Sequence, residues 1–453
     1  MALRRSYDVV VVGAGIMGLH TAYQLARRDR NLNVLVLEQG RSLGQGSTGY
    51  STALLRCLYS LDGMVHAASD GLIVHQNWSE YTEISDPAGR LTPSPILWMT
   101  SETPETLEAK VARLRKFSHT PSVLSPQDIG TRFGLRTDDL EPHERFLCEE
   151  GTGYFDPTGA LTDLKDACTR LGVQVVQNAS VNQILTNETG TAAQGVWFNK
   201  SDGNNARANS SPPTPSSASS SSSSSHTDDS NPSAWLGKRR ASTGETVHAG
   251  AVINAAGPWS MRLNVASGIP FPWRIEPTRV QVVYKKSLEL TEEQLARIPC
   301  TADESNGIYF RPQLSSRQLL VGTILPEEES EVVVDPDECV DYVDQERETR
   351  YISGLLDRIP ALAPRGAVTG FSAMYSVNLD DGHPVVGPHP SIANLFHAQG
   401  FTGHGFKIGP VVGSMLARDI TNLSLPTFDA TVDPAFFAVD RPPHRIARVS
   451  VLA

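Results

Sequence analysis

The chain begins with an apolar strand pattern that runs directly into glycines. Residues 9–12 are four consecutive valines, which is typical of a strand buried on both faces. Three glycines follow in the spacing G-x-G-x-x-G, at Gly13, Gly15 and Gly18. An amphipathic stretch then continues to about Arg28 and predicts a helix. A second apolar run over 33–37 ends at Glu38, so the pattern predicts a βαβ unit with a glycine-rich first turn.

This unit has the features of a dinucleotide-binding turn. Gly13 permits the tight turn, Gly15 lets the backbone approach a pyrophosphate, and Gly18 lets the helix pack closely on its strand. The helix N-terminus offers free N–H groups and partial positive charge to a phosphate. Glu38 lies 20 residues after Gly18, where a carboxylate meets a ribose 2′-hydroxyl and disfavours a 2′-phosphorylated cofactor. The alternative is a structural βαβ unit whose glycines match by chance.

The rest of the chain alternates between helical and strand patterns. A polar, glycine-rich loop over 44–56 is expected to run into a helix that carries Arg56. Helices are predicted at 64–81, 106–117, 126–133, 160–171, 336–359 and from the loop at 400–406 to about 420. Strands are predicted near 93–98 and at 173–176, 181–185, 246–253, 272–284, 307–312, 319–324 and 395–398.

Changes of character along the chain predict an α/β protein of two domains. The first domain is assigned to 1–89, 151–260 and 365–435, the second to 90–150 and 261–364, and a C-terminal tail to 436–453. Residues 201–243 contain a long run of serines and few apolar side chains, which predicts a disordered insertion at a hairpin tip. A regulatory phosphorylation tract is the alternative for this insertion.

Composition excludes several classes of function. A net charge of −11 argues against nucleic acid as a partner, and no apolar run approaches the roughly 18 residues needed to span a bilayer. Five scattered cysteines without a C-x-x-C pair are typical of a reducing compartment. No secretory signal precedes the first strand, so we expect an intracellular protein, cytoplasmic rather than mitochondrial. No cluster of histidines or cysteines has metal-ligand spacing, so we expect no metal site.

Four motifs in order resemble the FAD-dependent D-amino-acid oxidase superfamily, in its branch of sarcosine oxidases and dimethylglycine dehydrogenase-like flavoproteins. They are the glycine turn with Glu38, the loop 46–52 leading to Arg56, the stretch 253–260 (Ile-Asn-Ala-Ala-Gly-Pro-Trp-Ser) and the loop 403–407 (Gly-His-Gly-Phe-Lys). The resemblance implies FAD bound by a Rossmann-like domain of the glutathione-reductase type. It also implies a second, mostly antiparallel α+β substrate domain.

The resemblance assigns the cofactor contacts residue by residue. The first turn would hold the pyrophosphate, Val181 would touch the adenine end, and the loop at 403–406 would touch the pyrimidine edge of the flavin. The full set of expected FAD contacts is Gly13, Gly15, Ile16, Gly18, Glu38, Gln39, Ser47, Thr48, Thr52, Val181, Ala256, Gly257, Trp259, Gly403, His404, Gly405, Phe406 and Lys407.

The resemblance also implies where the substrate binds. Arg56 and Lys407 match the residues that hold a substrate carboxylate over the flavin, and two converging cations select an amino acid over a simple amine. Structural ion pairing is the alternative for both. Arg311 is a third candidate for the carboxylate, with a structural role at the sheet edge as its alternative. His404 and His383 are candidates for proton transfer, although support of the flavin loop and of a turn are the simpler roles.

The resulting hypothesis is oxidation of the C–N bond of a secondary or N-methyl amino acid, such as a sarcosine-, pipecolate- or proline-like compound. Hydride would pass to flavin N5, and the imine would hydrolyse. Ala373 stands where monomeric sarcosine oxidases carry the flavin-linked cysteine, so FAD is expected to be non-covalent. The stretch 318–324 lacks their oxygen-activating lysine, which leaves O2 and another electron acceptor open.

Two other functions stay open. One is a flavin-binding assembly or scaffold protein whose FAD is structural. The other is a biosynthetic tailoring oxidase that acts on a larger amine or alcohol.

Overall fold

A computed structural model describes residues 3–200 and 244–446 of the 453-residue chain, so the predicted insertion at 201–243 lies outside the described residues. The strands are β1 Ser6–Val12, β2 Val34–Leu37, β3 Leu91–Pro93, β4 Ile96–Met99, β5 Ser122–Leu124, β6 Phe146–Glu149, β7 Gly153–Phe155, β8 Gln174–Val176, β9 Ala179–Thr186, β10 Ala193–Lys200, β11 Glu245–Asn254, β12 Ile275–Lys286, β13 Cys300–Asp303, β14 Ile308–Gln313, β15 Gln318–Thr323, β16 Val368–Asn378, β17 Val385–Pro388 and β18 Leu395–Gln399. The helices are α1 Ile16–Arg28, α2 Asp62–Gln76, α3 Trp78–Thr82, α4 Pro104–Lys116, α5 Pro126–Phe133, α6 Pro157–Arg170, α7 Ser260–Ala266, α8 Glu292–Arg297, α9 Gln345–Arg358 and α10 Gly405–Thr421.

The first sheet contains the predicted βαβ unit. Its strand order is β17-β18-β11-β1-β2-β8, and the pairs β18·β11, β11·β1, β1·β2 and β2·β8 are parallel. The valines of β1 are at most 5% exposed, as a parallel strand covered on both faces requires. Strands β9 and β10 extend this sheet from β11 as antiparallel neighbours. Because β1, β2, β11 and β18 are parallel, the loops that follow them meet at one edge.

The second sheet is mostly antiparallel. Its order is β16-β12-β15-β14-β13-β4-β6-β5, and only the pair β13·β4 is parallel. Helices α5, α8 and α9 contribute to the core that packs against this sheet. The expected fold class, a Rossmann-like domain combined with a mostly antiparallel sheet, is confirmed. The predicted domain boundaries stay a prediction, and β16, which lies within the range 365–435, pairs with β12 in the second sheet.

Two elements differ from the expectation. Arg56 does not lie on a helix, because residues 51–59 form neither helix nor regular strand and Ala53 has a φ of +51°. The segment lies along β7, where the amide of Leu55 donates to the carbonyl of Gly153 at 2.9 Å. The helix predicted over 336–359 is shorter, since a single 3-10 turn at Pro336–Glu338 is followed by an irregular segment before α9. Within the described ranges, no helix combines the length and apolar character that a membrane crossing needs.

Candidate active site

The first turn, residues 13–18, is built so closely that only glycine fits at two of its positions. Gly13 has a φ of +99°, and a Cβ there would lie 2.6 Å from the carbonyl oxygen of Ala255. A Cβ on Gly18 would lie 1.9 Å from the carbonyl oxygen of Gly13. The turn therefore packs directly against the end of β11 and leaves no space for a side chain at Gly18 in the first turn of α1. We call residues 13–18 the cofactor turn.

Side chains from two neighbouring segments fix the cofactor turn. The amide of Ala14 donates to Glu38 Oε2 at 2.8 Å, and the amide of Ile16 donates to Thr48 Oγ1 at 3.1 Å. Glu38 follows β2, and its other oxygen accepts from the amide of Gly40 at 2.7 Å. Glu38 and Thr48, both predicted to contact FAD, thus lie at the turn.

The loop 400–406, which we call the second glycine loop, reaches the same edge of the sheet. It leaves β18 and enters α10 through Gly403, whose φ is +76°. A Cβ on Gly405 would lie 2.9 Å from Met17 Cε, which puts the start of α10 beside the start of α1. The amide of Ala256 also lies here, donating to Asn254 Oδ1 at 3.3 Å. The predicted contacts from both glycine loops and from 254–257 are therefore brought together.

His404 stands at the N-terminal end of α10 and is fully buried. Its Nδ1 lies 3.4 Å from the hydroxyl of Tyr59, and its amide donates to the carbonyl of Phe401 at 2.7 Å. Burial lowers the pKa of His404 well below its usual value, and the nearby cations Arg56 and Lys407 lower it further. The imidazole is therefore neutral at physiological pH.

These residues fit FAD. The glycines of the cofactor turn and of the second glycine loop leave main chain uncovered by side chains at the sheet edge, and the first turn of α10 has N–H groups without helical acceptors. Two buried polar atoms there, His404 Nε2 and Ser376 Oγ, have no hydrogen-bond partner among the residues described. A planar ligand with acceptor atoms would satisfy such groups.

Arg56 is buried beside two aromatic rings. Its guanidinium carbon lies 3.9 Å from the ring centre of Tyr59 and 5.3 Å from that of Trp98. The guanidinium also donates to the carbonyl of Leu58. Stacking of this kind holds a guanidinium in one orientation.

Lys407 approaches the same ring from α10. Its Nζ lies 5.8 Å from the ring centre of Tyr59, and the side chain is only 5% exposed. Burial, followed by the charge of Arg56, lowers the pKa of Lys407 to about 7. The two residues predicted to bind a carboxylate thus share one buried site, and we refer to them as the cation pair.

Other predicted residues have identifiable positions. Arg311 donates to the carbonyl of Thr52 at 3.0 Å and to Gln313 Oε1 at 2.7 Å, so it supports the loop that leads to Arg56. Ser47 Oγ donates to the carbonyl of Met374 at 2.6 Å. His383 braces a turn through Nδ1, which lies 2.8 Å from the carbonyl of Asp381.

The remaining predicted FAD contacts are more peripheral. The indole N–H of Trp259 donates to Asp337 Oδ1 at 2.9 Å, which directs that group away from the cofactor turn. Gln39 is exposed, and Val181 lies on β9, whose first residue, Ala179, donates to the carbonyl of Glu38 at 2.8 Å. Gly257 has a φ of +56°.

The sequence patterns predict no role in the site for three of its residues, Tyr59, Trp98 and Glu149. Glu149 is 3% exposed, accepts the indole N–H of Trp98 at 2.8 Å and the amide of Cys57 at 2.7 Å. The signal in the sequence was weak. An acid closing an apolar strand at 146–149, and an aromatic residue three positions after Arg56, were the available hints.

Comparison with known proteins agrees with this geometry. The sequence profile of the family described as FAD dependent oxidoreductase, the DAO family, matches residues 8–209 and 226–418. Both glycine loops, the stretch 254–260 and the cation pair lie within the matched segments. The resemblance inferred from the four motifs is confirmed.

Individual relatives and a solved structure cover nearly the whole chain. FAD-dependent oxidoreductase domain-containing protein 1 of Bos taurus is 27% identical over 426 residues, which cover 91% of this chain and 80% of that protein. Peroxisomal sarcosine oxidase of Homo sapiens is 25% identical over 439 residues, covering 93% and 94%. The crystal structure of L-proline dehydrogenase from P. horikoshii aligns with a TM-score of 0.73 at 19% identity, over 96% of this chain and 98% of that one. The structural likeness shows a shared fold.

Proposed function

The chain belongs to the FAD-dependent oxidoreductase family, and within it we propose that it oxidises the C–N bond of a secondary or N-methylated amino acid. FAD is the cofactor. The observation that carries the proposal is the cation pair: Arg56 and Lys407 share one buried site beside the start of α10, next to the second glycine loop. Two cations in a site of low polarity bind a carboxylate strongly and in a fixed orientation.

The residues of the chain divide the work of binding and orientation. The cofactor turn and Glu38 would hold the diphosphate and ribose, and the N–H groups at the start of α10 would hold the pyrimidine edge of the flavin. FAD, when bound, supplies the acceptor for the hydride that leaves the substrate carbon. The cation pair would bind the substrate carboxylate and so fix which carbon faces the ring. Neutral His404 would occupy a buried polar position without adding a third charge.

Several finer points belong to the proposal. Ala373 on β16 has no thiol to bond to the flavin, which supports non-covalent FAD. The stretch 318–324 contains all of β15 and has no lysine, which supports an electron acceptor other than O2, although O2 itself stays open. All five cysteines are free thiols, which supports a reducing, intracellular setting such as the cytoplasm.

The test is anaerobic mixing of the FAD-loaded protein with sarcosine, L-proline and L-pipecolate while absorbance is followed at about 450 nm, where oxidised flavins absorb. We expect at least one of these compounds to bleach the flavin. R56M and K407M should each retain FAD and raise KM about 10- to 100-fold, because each removes a charge-assisted hydrogen bond worth about 1.5–3 kcal/mol. K110M, on α4 and paired with Glu102, is the control and should behave as wild type.

Each alternative predicts a different result. Flavin that stays oxidised with every amine offered would support a scaffold protein with structural FAD. Bleaching by a larger amine or an alcohol, with R56M as active as wild type, would support a tailoring oxidase and would exclude the carboxylate-binding role of the cation pair.

A further inference from the structure

A buried carboxylate on β6 holds the main chain next to Arg56. Glu149 Oε2 accepts the amides of Cys57 at 2.7 Å and Leu58 at 3.0 Å, and Oε1 accepts the indole N–H of Trp98 at 2.8 Å. Trp98 in turn lies against the Arg56 guanidinium. One carboxylate therefore fixes both the segment that carries the arginine and one of the rings against which it stacks.

The hydrogen bonds indicate that Glu149 is ionised. All three contacts bring N–H donors to its oxygens, and no acceptor for a carboxyl O–H is found among the hydrogen bonds of residues 3–200 and 244–446. Burial raises the pKa of Glu149 above its ordinary value, and these three donors together with the charge of Arg56 limit that rise. A carboxylate that accepts several N–H bonds stays charged even in an apolar site.

The cation pair needs such a charge. Arg56 and Lys407 are each 5% exposed and lie on the same tyrosine ring, so each raises the cost of keeping the other charged. The charge of Glu149, like a thiolate at Cys57, favours the cationic form of Lys407. The titratable groups that face Lys407 come from four parts of the chain. They are Arg56, Cys57 and Tyr59 from the segment 51–59, Glu149 from β6, His75 from α2 and His404 from the second glycine loop.

We propose that Glu149 is the counter-ion of the cation pair: it positions Arg56 and keeps Lys407 charged, and so determines up to which pH the site binds a carboxylate. The inference rests on the proposed function, since it assigns the charge balance of the same carboxylate site. Glu149 is a positioning residue, because its oxygens are used by the protein.

The expected pH dependence has a definite sign. A carboxylate binds best while Lys407 carries its proton, so affinity falls about tenfold per pH unit above the pKa of Lys407. Removal of the negative charge at Glu149 lowers that pKa, so the fall starts at a lower pH. At the acid end, where Lys407 is protonated in either protein, loss of a like charge favours the carboxylate, whereas an amide at 149 accepts fewer N–H bonds and positions Arg56 less well. Neither of these two effects depends on pH, so the shift of the alkaline fall reports the charge alone.

The experiment measures Kd for acetate on the FAD-loaded protein, by the change in flavin absorbance, from about pH 5.5 to about pH 9, a range that spans the ordinary pKa values of histidine and thiols. The variants are E149Q and, as matched control, E150Q. Glu150 is the next residue, but its carboxylate binds Arg132 at 2.7 and 2.9 Å and Ser122 at 2.7 Å instead.

We expect the alkaline fall of E149Q to begin about one pH unit or more below that of wild type, and E150Q to match wild type. K407R should lose the fall, because arginine keeps its proton throughout this range. An E149Q profile that falls at the wild-type pH, or one that is weaker by the same factor at every pH, would overturn the proposal. The latter result would assign Glu149 a structural role alone.

Two further results would separate the role of Glu149 from the proposed function. If E149Q does not retain FAD, the double variant E149Q/K407M should regain it, because its buried net charge equals that of wild type. Failure of the double variant to bind FAD would contradict the role of Glu149 as counter-ion. If R56M binds acetate as tightly as wild type does, the proposed function fails at the cation pair, whatever E149Q shows.

Discussion

At the scale of single residues, Gly18 determines how closely α1 approaches β1. A Cβ at this position would meet the carbonyl oxygen of Gly13 at 1.9 Å and Val11 Cγ1 at 3.2 Å, and neither neighbour can move without displacing the cofactor turn. We expect G18A to lose most of its FAD and to lower the free energy of unfolding by about 1–3 kcal/mol, the usual cost of overpacking. Flavin absorbance per protein and urea unfolding measure the two effects.

Gly130 on α5 is the matched control. A Cβ there would have only ordinary contacts, with Thr137 Oγ1 at 3.5 Å and the carbonyl oxygen of Leu135 at 3.7 Å. G130A should keep its FAD and gain roughly 0.5–1 kcal/mol, because alanine favours a helix interior over glycine. Full FAD content in G18A would show that the close contact at the cofactor turn is not needed.

The cation pair is also explained at this scale. Two like charges are buried together because three different groups offset their repulsion: the face of the Tyr59 ring, the carboxylate of Glu149 and, in the proposed complex, the carboxylate of the substrate. Without a ligand, Lys407 is only partly charged near neutral pH, since its pKa is about 7. Binding of an anion would therefore be accompanied by proton uptake at Lys407 Nζ.

At the scale of elements, β10 and β11 form an antiparallel pair on either side of residues 201–243. The pairing runs from Gly195 opposite His248 to Phe198 opposite Glu245, and Lys200 Nζ lies 3.1 Å from Glu245 Oε2. Because the two strand ends are adjacent, a short turn can join them. We expect replacement of 201–243 by an Asn-Gly turn to retain FAD and to raise the free energy of unfolding by up to about 2 kcal/mol, the closure entropy of the longer loop.

FAD absorbance and urea unfolding of the shortened chain check this prediction. A variant with 201–243 in scrambled order is the control and should match wild type, since loop length alone enters the closure entropy. Loss of FAD or of flavin bleaching in the shortened chain alone would show that these residues contribute more than length.

The elements best predicted from sequence are those whose pattern is local. The valines of β1, the helix to Arg28 and the helix after the second glycine loop follow from apolar periodicity and glycine spacing. The local pattern of Ala53, Leu54 and Leu55 favours a helix, and this prediction is wrong. Long-range pairing decides instead, because Phe155 donates its amide to the carbonyl of Ala53 at 3.0 Å and so ties this segment to β7.

The parts of the site that could be predicted are those that belong to a short local motif. Arg56 and Lys407 could be matched to motifs, whereas Glu149 lies 92 residues from Cys57 and 51 from Trp98, its two kinds of donor. A single acid at the end of an apolar strand predicts no partner. The contact with Trp98 arises from the pairing of β4 with β6 within the second sheet, and the contact with Cys57 from the approach of the segment 51–59 to β6. No local pattern specifies either one.

At the scale of the whole molecule, five of the six histidines that are buried in the described part of the chain have a lowered pKa and make stability depend on pH. Burial is the largest cause of a lowered pKa in each, to about 4 for His75 and His383, about 3 for His397, and well below the usual value for the other two. The five are His20, His75, His383, His397 and His404. The unfolded chain takes up protons at these residues near pH 6.5, whereas the folded protein does not until the pH is much lower.

The free energy of unfolding should therefore be fully developed above about pH 6.5 and fall below that pH, by up to about 1.4 kcal/mol per pH unit for each histidine, over the range in which the protein stays folded. Urea unfolding of the FAD-loaded protein at a series of pH values measures this slope.

H75F removes one of the five histidines whose pKa is lowered. It also leaves the carbonyl of Gly71 without the ring nitrogen that lies 2.7 Å away, so the variant is less stable at every pH. Its slope below pH 6.5 should nevertheless be shallower by up to about 1.4 kcal/mol per pH unit, while H143F, at an exposed position, should keep the wild-type slope. An unchanged slope in H75F would mean that His75 is protonated in the folded protein. A protonated His75, stacked on Trp78 and close to Lys407, would need a negative charge nearby to offset its own.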